Sequence, residues 1–250
     1  MLSIAAGLTA PVAFWLAYLY VRDRVRPEPL VVVLVTVGLG ALAALATPHA
    51  YAYLAPLGTP EDVAVWSESD PLRLVAYCLG VIGPLEELAK LLPFLLVCVH
   101  FRAFDEEIDG MVYASAIGLG FATVENVHLL DQLDGFQFHA RALASPLVHT
   151  LFASIWGWAY AHARVHRRSI PIATAIAWIA AAALHGVYDV LALSPMLAPA
   201  SALLILAIWL WRIRLMRRLH IRAERSERRA RLRRQGQGTG IGQRIAVTPG

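Results

Sequence analysis

The sequence predicts an all-α protein, a polytopic transmembrane bundle of about seven helices, and three observations predict it. The 250 residues are 58% hydrophobic and only 16% charged, with a mean hydropathy of +0.57; soluble chains run near roughly 45–50% apolar and about 25% charged. A bilayer core takes a helix of about 20 apolar residues, and such stretches fall at 2–21, 30–54, 72–100, 108–130, 142–163, 170–193 and 197–211. Of the 22 basic residues all but Lys90 are arginine, and 11 of these arginines lie between Arg212 and Arg234. A soluble globule, a disordered chain and a disulfide scaffold are excluded by the same figures.

The first stretch has no base before it and no cleavage site, and Arg22, Arg24 and Arg26 follow it. It reads as a retained span rather than a signal peptide. With the N-terminus outside, seven spans place residues 22–29, 101–107, 164–169 and the C-terminal tail in the cytoplasm. Those segments hold 19 arginines, while the other side holds only Arg73 and Arg141, both at span edges. Basic residues collect on the cytoplasmic side of membrane proteins, so this orientation is the expected one. Cys78 and Cys98 are 20 residues apart in one expected helix, roughly 30 Å along its axis, and cannot bridge one another.

Three regions follow. Residues 1–211 form the bundle, with its polar motifs confined to a core at 72–193. Residues 212–234 contain no glycine or proline and are expected to extend the last helix into the cytoplasm, as an anchor for anionic lipid headgroups. Residues 235–250 begin QGQGTGIGQ and are expected to be disordered. A nucleic-acid partner is not expected, because no aromatic stacking platform or binding motif accompanies the arginines. There is no internal repeat and no pair of broken helices of the kind an inverted-repeat transporter carries.

An ionisable side chain at the centre of a span costs about 2.5–3.5 kcal/mol on insertion scales, yet Glu86, Glu87, Lys90, Glu125 and Asp189 lie within the spans, with His149 and His185 beside them. In GVIGPLEELAKLLPF, Glu86 and Lys90 are i,i+4 and Glu87 and Lys90 are i,i+3, so either carboxylate can reach the ammonium. The two glutamates point about 100° apart and have different tasks. Pro84 frees a carbonyl one turn earlier and bends or restarts the helix. Span four carries Phe121, Glu125 and Asn126; span five carries His149 after Pro146; span six carries His185 and Asp189 at i,i+4, where the aspartate can orient the imidazole. His149 and His185 both fall roughly 10–12 Å below the outer surface, so a shared site in the outer half of the membrane is expected. A single histidine or a single Glu–Lys pair could serve packing alone; four successive spans with catalytic side chains point to function.

Carboxylates and histidines without a serine or cysteine nucleophile suit the activation of water. There is no HExxH, no GxSG, and Tyr188-Asp189 lacks the second aspartate of a presenilin-like pair. The order EExxK, FxxxEN, a lone His and HxxxD, carried by Glu86-Glu87-Lys90, Phe121-Glu125-Asn126, His149 and His185-Asp189, resembles the PrsW-type intramembrane proteases, relatives of the CAAX-processing and bacteriocin-immunity membrane peptidases. The resemblance covers residues 72–193. It implies a multi-pass protein of a bacterial or archaeal cell membrane that cuts a membrane-anchored protein near the extracytoplasmic face; in the best-known member the substrate is a single-span anti-sigma factor. The CAAX-processing relatives carry FxxxH where this chain has Glu125, so prenylated substrates are not expected.

Two mechanisms stand open at this level. In one, His149, His185 and Glu125 hold zinc while Glu86 or Glu87 takes the proton from water. In the other, slightly preferred, there is no metal: a glutamate activates water against one histidine, and Asn126 with the other histidine stabilises the oxyanion. Spacing does not distinguish the base from the partner of Lys90. A proton- or cation-coupled transporter and a catalytically silent scaffold are the competing classes. On the peptidase reading, Glu86→Ala, Glu87→Ala and His185→Ala, each still inserted, lose cleavage of a reconstituted single-span substrate; full activity in all three contradicts it.

Overall fold

The computed structural model describes residues 2–22, 27–129, 135–194 and 196–245, and no strand occurs among them. The helices are α1 (Leu2–Arg22), α2 (Leu30–Leu54), α3 (Asp62–Ser69), α4 (Pro71–Tyr77), α5 (Gly83–Leu96), α6 (Glu107–Leu129), α7 (Gly135–Val165), α8 (Ile170–Leu193) and α9 (Ala198–Ile245). The chain divides into two compact units, residues 1–210 and 211–250. The first holds α1 to α8, the start of α9 and every polar motif of the spans. The second is the remainder of α9, with the arginine run and, up to Ile245, the glycine-rich stretch that follows it.

Among the described residues, three helical segments, Leu30–Leu57, Ile170–Leu193 and Ala198–Arg225, are long and apolar enough by themselves to cross a bilayer. At 23 and 31 residues, α6 and α7 have the length but a more polar composition, and burial explains it. Residues 108–122 of α6 are buried without interruption, as in a central helix surrounded by its neighbours. It packs against α2 and α7, where Gly118 lets the backbones meet. A Cβ at that position would stand 2.5 Å from the carbonyl oxygen of His149.

Proline inside an apolar helix leaves a carbonyl without its donor, and in a membrane something must satisfy it. Pro48 deprives Ala44 in this way, and the Thr47 hydroxyl donates to the Ala44 carbonyl at 2.7 Å. Pro84 has the larger effect. The stretch expected as one span at 72–100 is instead α4, a π-helical turn at Cys78–Ile82, α5 and a 3₁₀ turn at Cys98–His100. The wide turn sits immediately before Pro84, where the regular i to i−4 ladder cannot continue. Both cysteines are buried and free.

The acidic segment before α4 is ordered rather than a plain loop. Asp62 accepts from the Thr59 amide at 2.9 Å and its hydroxyl at 3.0 Å, starting α3, and Asp70 accepts from the Arg73 amide at 3.1 Å, capping α4. Trp66 fills the corner, edge to face with Tyr77 at 5.4 Å and under the Arg73 guanidinium at 4.2 Å.

The π-helical turn and α5 lie directly on α8. A Cβ on Gly186 would approach the Cys78 carbonyl oxygen to 2.5 Å, and one on Gly83 the Ala182 carbonyl oxygen to 2.3 Å. These contacts set the distance between the helix bearing Glu86 and Glu87 and the helix bearing His185. Gly186→Val therefore destabilises the bundle by about 1–3 kcal/mol, the cost of overpacking, whereas Gly80→Ala, with nothing within 4 Å of the added Cβ, leaves stability nearly unchanged. Thermal unfolding of the two variants in detergent reads the difference, and equal melting temperatures contradict it.

Candidate active site

Glu86, Glu87, Lys90, Glu125, His149, His185 and Asp189 come together between α5, α6, α7 and α8, and the first three are buried with both histidines. Glu87 is the most constrained of them. Its Oε1 accepts from Lys90 Nζ at 2.7 Å and is 3.0 Å from His185 Nδ1; its Oε2 accepts from Trp156 Nε1 at 3.0 Å. The Glu87 and Lys90 side chains are both fully buried. Lys90 also lies over the Phe121 ring, 4.6 Å from its centroid. Of the two carboxylates that spacing offers to Lys90, Glu87 makes the close pair, and Glu86 Oε2 stands 3.9 Å away.

Glu86 points a different way along α5. Its Oε1 accepts from the Tyr51 hydroxyl of α2 at 3.0 Å, while Oε2 is buried without a hydrogen-bond partner. That oxygen lies 3.7 Å from His185 Nε2 and 4.0 Å from His149 Nδ1. His149 Nδ1 is likewise buried and unpaired. On its other side, His149 Nε2 is 2.7 Å from Glu125 Oε2, in close polar contact but off the line of a well-formed hydrogen bond. Glu125 in turn is paired with Arg141, Oε1 to Nη2 at 2.8 Å.

The two histidines have the same logic in opposite senses. Protonation of the ring nitrogen facing a carboxylate leaves the other nitrogen with its lone pair. In His185 the carboxylate-facing nitrogen is Nδ1, so Nε2 is open; in His149 it is Nε2, so Nδ1 is open. Glu86 adds the third open atom, Oε2. One ligating atom from each of Glu86, His149 and His185 lies within 4.8 Å of the other two. The imidazole planes stand at 88° with centroids 5.2 Å apart, His185 stacks on Phe152 at 5.1 Å, and His149 leans on Phe121 at 5.4 Å.

This set could hold a metal ion. Donors to a tetrahedral zinc at about 2.0–2.1 Å are roughly 3.3 Å from one another, so separations of 3.7 and 4.0 Å need to close by less than 1 Å. Two of the three donors are otherwise buried and unpaired, a costly condition without a partner. Without a metal the same atoms can hold a water between a carboxylate oxygen and two imidazoles.

The remaining expected residues are placed as follows. Glu125 faces the far nitrogen of His149 and is outside the triplet of Glu86, His149 and His185. Asp189 Oδ2 is 3.8 Å from His185 Nε2 and has no hydrogen-bond partner; Glu87 is the carboxylate on His185 Nδ1. Asn126 is buried, with Oδ1 unpaired. Sequence reasoning missed Tyr51, Trp156 and Arg141 as partners. Trp156 carried a faint signal, being i+7 from His149 and so on the same face of α7. Arg141 reads in the sequence only as a base at a span edge.

A helical bundle that buries carboxylates and histidines around open donor atoms, in a chain whose α2, α8 and α9 include stretches apolar enough for a bilayer, has the character of an intramembrane hydrolase. The family model described as PrsW family intramembrane metalloprotease matches residues 28–213, and the chain belongs to that family. Three relatives, each named Protease PrsW, agree with this. That of Oceanobacillus iheyensis is 30% identical over 190 residues, 76% of this chain and 82% of the relative. That of Geobacillus kaustophilus is 29% identical over 78% of this chain and 81% of its own, and that of Bacillus subtilis 29% over 74% and 80%. No solved structure matches the chain.

Removing one member of a buried ion pair costs about 3–5 kcal/mol, because the other charge is left uncompensated. Glu87→Ala therefore lowers the melting temperature in detergent strongly, whereas Glu86→Gln, which retains a carbonyl for Tyr51, shifts it little. Comparable shifts for the two would contradict the division of labour between them.

Proposed function

We propose that the chain is an intramembrane endopeptidase that hydrolyses a peptide bond of a single-span membrane protein, of the anti-sigma-factor type, near the extracytoplasmic face. The observation that carries this reading is the convergence of Glu86 Oε2, His149 Nδ1 and His185 Nε2. Each belongs to a residue tied off on its other side by Tyr51, Glu125 or Glu87. The residues at 72–193 form the working core. The proposed topology has about seven spans, an external N-terminus and a cytoplasmic C-terminus in a bacterial cell membrane; the arginine asymmetry supports it, and the Arg-rich part of α9 is assigned to anionic lipid headgroups.

Glu86, His149 and His185 are the residues we assign to a zinc ion, in place of the set with Glu125. An ion held by them would supply Lewis-acid polarisation of the scissile carbonyl and would acidify water. The chain's own residues do the rest. Glu87 keeps the Nδ1 proton on His185, Glu125 keeps the Nε2 proton on His149, and both rings stay neutral donors. Asp189, whose Oδ2 is unpaired beside His185, takes the proton of the attacking water and returns it to the leaving amine. Asn126 is assigned to the oxyanion. A second reading is favoured by the single hydrogen bond on the Glu86 carboxylate: without metal, Glu86 Oε2 is itself the base.

Cleavage of a reconstituted single-span substrate tests both. Glu86→Gln, His149→Ala and His185→Ala each lose about 10²–10⁴-fold in rate, the scale of acid–base catalysis. On the zinc reading a chelator abolishes activity and zinc restores it, and Asp189→Asn lowers kcat without altering metal content. Activity that persists after chelation and is lost with Glu86→Gln supports the glutamate route; turnover in all variants discards the site.

A further inference from the structure

The opposite end of α7 carries a second donor set that peptide hydrolysis does not use. Glu107 begins α6, His162 lies in the last turn of α7 and His166 just past its end, where its amide still donates to the His162 carbonyl at 3.0 Å, so the i,i+4 spacing keeps the two imidazoles on one side. His149 and His162 are 13 residues apart on the same helix, roughly 20 Å along its axis, so the two clusters cannot share an ion. One ligating atom from each of Glu107, His162 and His166 lies within 4.8 Å of the others.

The detailed contacts favour an ion over a simple polar anchor. Glu107 Oε2 accepts from Trp158 Nε1 at 3.2 Å and is 2.8 Å from His162 Nδ1. Those two contacts are enough to hold a carboxylate in place. His166 is nevertheless stacked on His162, centroids 4.3 Å apart and planes at 28°. Its Nδ1 is 3.0 Å from the His162 carbonyl oxygen and 3.6 Å from Glu107 Oε1. Both rings thus turn Nδ1 toward the Glu107 carboxylate, so an ion held there would take Nδ1 of each imidazole and a carboxylate oxygen, a histidine and carboxylate donor set of the kind metals use. Water can reach the set, since side-chain exposures are 11%, 24% and 41% for Glu107, His162 and His166. Arg164, between the histidines in sequence, turns away: it donates to the Val99 carbonyl at 2.9 Å and covers Phe104 at 4.8 Å.

We propose that Glu107, His162 and His166 form a second site, for a divalent transition metal, that clamps the start of α6 to the end of α7. Two imidazoles and one carboxylate suit zinc, cobalt or nickel and not the all-oxygen preferences of magnesium or calcium. Because α6 and α7 carry Glu125 and His149, an ion there braces the two helices of the reaction site from their far ends.

The test is titration of the purified, chelator-stripped full chain with Co²⁺ alone, followed by absorption and by bound-metal analysis, together with melting temperature. The variant with His162→Ala and His166→Ala binds one equivalent fewer than the wild type and loses the metal-induced rise in melting temperature. His166→Ala alone, which spares the contacts among Glu107, His162 and Trp158, weakens Co²⁺ by tenfold or more, as does Glu107→Gln. The same loss is seen in a background of His149→Ala with His185→Ala, so failure of the peptidase reading leaves this count untouched. An unchanged number of equivalents and unchanged affinity in the folded His166→Ala and double-histidine variants overturn the proposal.

Discussion

The buried pair of Glu87 and Lys90 is the interaction on which the rest of the site depends. Two charges removed from water cost several kcal/mol each, even after relaxation, and here neither side chain has any exposure. The cost is offset because Glu87 accepts from three donors on three helices: Lys90 of α5, Trp156 of α7 and His185 of α8. Lys90 completes its environment on the Phe121 ring of α6. One ion pair thereby fixes the mutual position of the four helices that carry the motifs. Trp156 extends the constraint into the aromatic core, edge to face with Phe94 at 5.2 Å.

From that anchor follows a division of roles between neighbouring glutamates. Glu87, with its oxygens occupied, orients; Glu86, a helical step of about 100° away, leaves Oε2 open. The same pattern recurs around the cluster, one side of each group being tied off and the other presented. The helix packing is built to allow it. A side chain at Gly83 would push α5 from α8, one at Gly186 would push the π-helical turn before α5 from α8, and one at Gly118 would push α6 from α7; the donors would then no longer meet.

Much of this is legible in the sequence. Composition and the arginine distribution indicate a helical membrane bundle, and charges inside apolar stretches mark the residues that converge. Spacing along one helix narrows the possible partners of Lys90 to two, but the choice between them depends on Trp156 and His185, which come from other helices. For the same reason the Glu125 contact with the far nitrogen of His149, the Tyr51 bond to Glu86 and the Arg141 pair could not be read. A contact between helices leaves no periodic trace in either one. The sequence predicts a bend or restart ahead of Pro84; the structure makes it a π-helical turn at Cys78–Ile82, seated against Gly186 of α8. The acidic segment before α4 gives little helical signal, because its helix is only eight residues long and is held by Trp66 rather than by an apolar stripe.

The central claim is that opposed carboxylates fix the two histidines in opposite tautomers, leaving Nδ1 of His149 and Nε2 of His185 open toward Glu86. Nitrogen-15 NMR of histidine-labelled protein in lipid nanodiscs, assigned with the single His149 and His185 variants, measures this directly. The account predicts a proton on Nε2 of His149 and on Nδ1 of His185, with the other nitrogen of each ring unprotonated. The same tautomer in both rings, or two doubly protonated imidazolium rings at neutral pH, would contradict it.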